Sequence, residues 1–123
     1  MTQKRILIVD DDPDILHFLK KELESLHYKC ECSTSVEDAL AMVKVLPPNL
    51  VLLDLGFHRA GGSAFIQNLK TWLGPDIETP PVIVLSGHKD KEIIDYAMNL
   101  GATGFIAKPY DVNNLVSMVN EYI

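Results

Sequence analysis

Leu50–Val51–Leu52–Leu53 is an unbroken apolar run of strand length that ends in a carboxylate, Asp54. A strand covered on one face alternates apolar and polar residues. A continuous run therefore predicts a strand buried between two layers, with Asp54 emerging where it leaves the core. The device recurs along the chain. Ile6–Leu7–Ile8–Val9 ends in Asp10, Asp11 and Asp12, Val82–Ile83–Val84–Leu85 ends in Ser86, and Thr103–Gly104–Phe105–Ile106–Ala107 ends in Lys108. In an open parallel sheet the carboxyl ends of the strands lie along one edge, where ligands bind in the crevice between diverging connections. Asp10, Asp11, Asp54, the hydroxyl of Ser86 and the amine of Lys108 are thus expected to converge.

Between these runs the apolar spacing becomes helical. Asp12–Pro13 reads as an N-cap and first helical residue, followed by a stripe of Ile15, Leu16, Leu19, Leu23 and Leu26. Tyr28 to Ser33 is shorter and less apolar, as an edge strand would be. Thr34 or Ser35 caps a second helix whose inward face is Val36, Ala39, Leu40, Val43 and Leu46, and Pro47–Pro48–Asn49 ends it. Gly56 and Gly61–Gly62 read as a loop before a third helix built on Phe65, Leu69, Trp72 and Leu73, closed by Gly74–Pro75. Asp90 starts a fourth helix with Ile93, Ile94, Ala97 and Met98 inward and Gly101 at its end. Asp111 caps a fifth, with Leu115, Val116, Val119 and Ile123 as its stripe. Five strands alternating with five helices predict an α/β fold, a doubly wound five-stranded parallel sheet of the form (βα)5. In the flavodoxin-like order 2-1-3-4-5, strands one and three are neighbours, which brings Asp10, Asp11 and Asp54 together.

The 123 residues, 47% of them hydrophobic, suit one domain over 1–123. A net charge of −6 with no basic cluster longer than Lys4–Arg5 argues against direct nucleic-acid binding. The apolar runs fall well short of the roughly 20 residues of a membrane span, and the N-terminus lacks a signal-peptide core, so a cytoplasmic location is expected. Cys30 and Cys32 share one face of the edge strand and read as reduced structural thiols rather than as metal ligands with His27.

Three carboxylates in one crevice repel one another unless a cation sits among them, and hard oxygen donors suit Mg²⁺. Lys108 adds a compact positive charge and Ser86 a hydroxyl donor, both matched to a phosphoryl group. A carboxylate at the centre of such an anion site, Asp54, can act as a nucleophile toward phosphate and hold an acyl phosphate.

These residues, Asp10–Asp11 after strand one, Asp54 after strand three, Ser86 after strand four and Lys108–Pro109 after strand five, resemble the response-regulator receiver domain of two-component systems over nearly the whole chain. The resemblance implies that Asp54 accepts a phosphoryl group from the phosphohistidine of a sensor histidine kinase or phosphotransfer protein. It also implies that Asp10, Asp11, Asp54 and the backbone carbonyl of Gly56 serve Mg²⁺, with Asp11 the direct ligand of the first pair. Lys108 would contact the phosphoryl group, the Lys108–Pro109 bond would be cis, and Ser86 with Phe105 would form the switch. The face of helix four, strand five and helix five would then serve an output domain in a longer chain, a separate target or a homodimer. Such a chain is a signalling phosphoacceptor rather than a metabolic enzyme, though it catalyses its own phosphoryl transfer and slow autodephosphorylation. The family commonly has a proline where His58 stands and a longer side chain than that of Gly56. His58 and His88 flank the site as candidate modulators of phosphoryl lifetime. The rival reading within the family is a degenerate receiver that binds partners without phosphorylation. A flavin carrier would need a hydroxyl-rich phosphate loop where the three acids stand.

Overall fold

The elements alternate along the chain as β1 (Arg5–Val9), α1 (Pro13–Glu24), β2 (Lys29–Ser33), α2 (Val36–Val45), β3 (Leu50–Asp54), α3 (Arg59–Leu73), β4 (Val82–Ser86), α4 (Lys91–Leu100), β5 (Gly104–Ala107) and α5 (Val112–Tyr122). The computed structural model describes residues 3–54, 59–87 and 91–123, and of 59–63 and 93 the backbone alone. The strands form one parallel sheet in the order β2-β1-β3-β4-β5, with β3 at its centre.

Each buried strand feeds two cores by alternation. Leu7, Val9, Val51, Leu53, Val82 and Val84 face one side with Ala39, Val43, Phe65, Leu69 and Ala97 of α2, α3 and α4. Ile6, Ile8, Leu50, Leu52, Ile83 and Leu85 face the other with Leu16, Leu19, Leu23, Leu115 and Val119 of α1 and α5. The continuous apolar runs are thus two interleaved period-2 patterns. β2 is an edge strand as expected, and its Cys30 and Cys32 both turn toward the α1 and α5 side as free thiols. Burial pushes the Cys30 thiol up to about 12 and raises Cys32 as well, so neither is primed as a thiolate.

Side-chain caps fix the helix starts. Asp12 accepts from the Asp14 N–H, Ser35 rather than Thr34 accepts from the Asp38 N–H, and Asp111 accepts from the Asn113 N–H. At the far ends, Gly74 and Gly101 take positive φ of 87° and 116°, which lets the chain leave α3 and α4 sharply.

Several expectations fail locally. Leu26 does not join the α1 stripe, because α1 ends at Glu24 and the chain turns over the Leu23 carbonyl, which accepts from both the Leu26 and Tyr28 N–H groups. His27 is the left-handed residue of that turn, with φ 73°. Leu46 is the extended C-cap of α2 and is 51% exposed. Met98 is exposed because the α4 stripe centres on Ala97, about 100° away around the helix. Trp72 is half-exposed and serves as a clasp: its indole N–H donates to the Leu40 carbonyl at 2.8 Å, and the Lys44 ammonium lies 4.8 Å from the ring centroid. The loop read through Gly61–Gly62 ends earlier, since α3 begins at Arg59 and includes both glycines. Strands two and five start one residue later than read, at Lys29 and Gly104. Asp90, the expected start of helix four, lies outside the described residues.

Truncating the central strand should cost far more than truncating an exposed helix position. Leu52→Ala is expected to lower the unfolding free energy by about 2–5 kcal/mol in urea titrations. Val45→Ala, at a position 85% exposed, should stay within about 0.5 kcal/mol. Equal losses would contradict the layering.

Candidate functional site

The carboxyl ends of β1, β3, β4 and β5 deliver the acids, the hydroxyl and the amine to one edge. The Asp10 N–H donates to the Ser33 carbonyl at 3.1 Å, extending the β1–β2 ladder by one residue and holding the side chain in place. That side chain is buried, with Asp10 only 3% exposed. Its Oδ1 accepts from the Asp12 N–H at 3.0 Å, whereas its Oδ2 is buried and accepts no hydrogen bond. Asp11 is exposed beside it, and Asp12 is taken up by the α1 cap rather than by the site. Asp54 closes β3, and Ser86, fully buried, closes β4.

Lys108 reaches this group from just beyond β5. Its backbone N–H donates to the Ser86 carbonyl at 2.6 Å, and the Lys108–Pro109 peptide is cis. Its ammonium lies 3.0 Å from Asp54 Oδ1 and 3.7 Å from Asp10 Oδ2. Oxygens of Asp10, Asp11 and Asp54 all lie within 4.8 Å of one another. One ammonium among three carboxylates leaves negative charge in excess, and a set of hard oxygen donors that includes a buried oxygen lacking a hydrogen bond fits a hard divalent cation.

The electrostatics follow from this crowding. Burial pushes the Asp10 carboxyl up to about 6, with the nearby charge of Asp54 adding to the rise, while the Asp12 N–H and the Lys108 ammonium oppose it. The Tyr110 phenol is raised by burial and by the negative charges of Asp10 and Asp54. Reading the strand ends overlooked Tyr110, which stands two residues past Lys108. Its only signal was an aromatic beside a site lysine, and it packs against the α1 and α5 core. Of the residues expected here, the structure brings together Asp10, Asp11, Asp54 and Lys108, with Ser86 tied to Lys108 through the backbone. Gly56, His58 and His88 lie outside the described residues.

Residues 6–120 match the family model described as the response regulator receiver domain. The chain belongs to that family. This receiver domain is 31% identical over 112 residues to the transcriptional regulatory protein KdpE of Mycobacterium tuberculosis, a match covering 91% of this chain and 47% of that protein. It is 34% identical over 113 residues to the nitrogen assimilation regulatory protein NtrX of Azorhizobium caulinodans, covering 90% of this chain and 24% of that protein. The chain thus spans about half the length or less of these curated relatives. Among solved structures, the CheY-like response regulator receiver domain protein of Methanospirillum hungatei superposes with a TM-score of 0.85 at 30% identity, covering 98% of this chain and 93% of that one. Among the described residues no helix is long and apolar enough to cross a membrane.

Folded Asp10 keeps its proton up to about pH 6, whereas an unperturbed carboxyl releases it near 3.8. Between those values the folded state binds more protons than the unfolded state, so this group lowers stability as pH rises through the window. Without divalent metal, Asp10→Asn is therefore expected to be more stable than the parent protein at pH 7, with the difference shrinking toward pH 4. A thermal melt series showing the Asn variant less stable at pH 7 would contradict the burial argument.

Proposed function

We propose that Asp54 accepts a phosphoryl group from a phosphohistidine of a sensor histidine kinase or phosphotransfer protein, in a Mg²⁺-dependent reaction. The observation that carries this reading is the Lys108 ammonium 3.0 Å from Asp54, within a group of three carboxylates. An oxygen of Asp54 attacks phosphorus while the bond to the imidazole nitrogen breaks. Lys108 turns from its carboxylate partners toward the phosphoryl oxygens, and the Ser86 hydroxyl donates to another of them. Asp10, Asp11 and Asp54, with the backbone carbonyl of Gly56, would hold Mg²⁺. The bound ion supplies charge neutralisation on the phosphoryl oxygens. Hydrolysis of the acyl phosphate resets the domain, with His88 and His58 as the candidate modulators of its lifetime.

The phosphorylated state then alters the face formed by α4, β5 and α5, read by an output domain, a separate target or a second copy in the cytoplasm. The β4–β5 register supports a route for this. Val84 pairs with Phe105 and Ser86 with Ala107, so Phe105 projects to the same side of the sheet as Ser86, where it is half-buried against the core that holds Ala97 of α4. Movement of Ser86 toward the phosphoryl group frees space that the Phe105 ring enters without desolvating a hydroxyl. The shift is a bias on two pre-existing arrangements.

Incubation with acetyl phosphate and Mg²⁺ should add one phosphoryl mass to the intact protein. Asp54→Asn should abolish the gain, and Asp11→Ala should abolish it by removing metal rather than nucleophile. Retention of the added mass by the Asn protein would overturn the assignment by placing the phosphoryl group on another residue, whereas no gain by the parent protein would favour a receiver that works by binding alone.

Phe105→Ala should leave uptake intact while reducing the change in amide exchange of Lys91–Leu100 caused by beryllofluoride, a phosphoryl mimic. An undiminished response would show that the ring does not carry the signal.

A further inference from the structure

At the amino ends of the strands, opposite the acidic edge, the last turn of α2 and β1 border a groove of about 380 Å³ walled by Leu7, Met42, Val45, Leu46 and Pro48, with Arg5 and Glu31 also in its lining. Val45 and Leu46, the most exposed of the large hydrophobics in the described residues, form its lip. Contiguous apolar exposure of this kind marks surfaces that another molecule covers.

The cation in this wall is Arg5. Its backbone is pinned on both sides by Asn49, whose Oδ1 accepts from the Arg5 N–H at 2.8 Å and whose N–H donates to the Arg5 carbonyl at 2.8 Å. The guanidinium is less well served. Its Nη2 reaches Glu31 Oε1 at 3.4 Å, near the limit of a hydrogen bond, and its Nε is buried with no hydrogen-bond acceptor. A buried N–H without an acceptor is destabilising. The Nε–Nη2 edge of a guanidinium is a two-pronged donor that a single carboxylate satisfies with two parallel bonds. Lys29 is exposed and pairs with Arg5 across β1–β2, so it adds positive charge on the same face of the sheet.

We propose that this groove docks an apolar segment of a partner protein that carries a carboxylate, the acid taking the Nε–Nη2 edge of Arg5 in place of Glu31. The groove is an open trough, with Val45 standing almost wholly in solvent, and this shape suits a peptide segment better than an enclosed small molecule. The surface lies at the end of the sheet remote from Asp54, so the partner binds without covering the acidic edge.

The test is an amide-shift titration with a short helical peptide of Leu, Ala and Glu, run beside a counterpart with Lys in place of Glu. Shifts are expected to cluster at residues 5–7 and 41–48 and to saturate with the acidic peptide only, although the chain is itself acidic. Arg5→Gln should weaken binding about tenfold or more, as loss of a charge-assisted pair does. Glu31→Gln should strengthen it by removing the competing acid, an effect that a purely structural role for Arg5 does not produce. Val45→Ser, at a position too exposed to affect folding, should weaken binding even where Arg5→Gln proves unstable. The proposal is overturned if the Lys peptide binds as well or the shifts fall elsewhere. It is overturned equally if Glu31→Gln and Val45→Ser both leave affinity within about twofold, a difference of about 0.4 kcal/mol.

Discussion

The Lys108 ammonium is the charge on which the functional edge of the sheet depends. Three carboxylates whose oxygens fall within 4.8 Å of one another would drive apart the ends of β1 and β3 if nothing stood between them. The lysine meets Asp54 at 3.0 Å and Asp10 at 3.7 Å, and so supplies one positive charge to a cluster that still has room for more. Asp10 shows the strain of that balance. Buried beside a second acid, its carboxyl is raised to about 6 even with the lysine and the Asp12 N–H acting in the other direction. A site built this way is poised to exchange partners: the lysine that compensates the acids is also the group that an incoming anion can recruit.

What holds these groups to within a few ångströms is the core beneath them. β1, β3 and β4 are filled on both faces, so their ends cannot rotate or slip without exposing one layer or the other. The last links are short backbone bonds at the same edge, Asp10 N–H to the Ser33 carbonyl and Lys108 N–H to the Ser86 carbonyl, which carry the order of the ladders one residue past each strand. The hydrophobic layers and the acidic edge are therefore two parts of one arrangement, and the stability lost to crowded acids is offset by burial on both sides of the sheet.

Much of this was legible because the patterns were strong and local. The strand runs could be read since every residue in them is apolar on both faces, and the caps at Asp12, Ser35 and Asp111 could be read since each joins a short polar side chain to a helical stripe. The residues that misled share one cause. Leu26, Leu46 and Met98 are apolar and fall at or beside a helical repeat, yet each lies where a helix ends or where a small residue such as Ala97 sets the contact. Hydropathy does not record how closely a helix approaches the sheet. Trp72 was read as core and proved to be a clasp between α2 and α3, since an indole offers a polar edge that a periodicity argument ignores. Tyr110 was missed because its role depends on burial beside Asp10 and Asp54, which no spacing along the chain displays. Arg5 carried no signal in the sequence, and only the three-dimensional arrangement shows its Nε buried without an acceptor beside an open apolar groove.

Membership of the receiver family places the chain in two-component signalling, and the function proposed above rests on one carboxylate, Asp54, among several. Because Asp10, Asp11 and Asp54 lie so close together, the decisive question is which of them carries the phosphoryl group. Borohydride reduces an acyl phosphate of aspartate to homoserine and leaves a free carboxylate untouched. Protein treated with acetyl phosphate and Mg²⁺, reduced in this way, digested and sequenced by tandem mass spectrometry should show homoserine at position 54. Homoserine at position 10 or 11, or its absence from all three, would contradict the account.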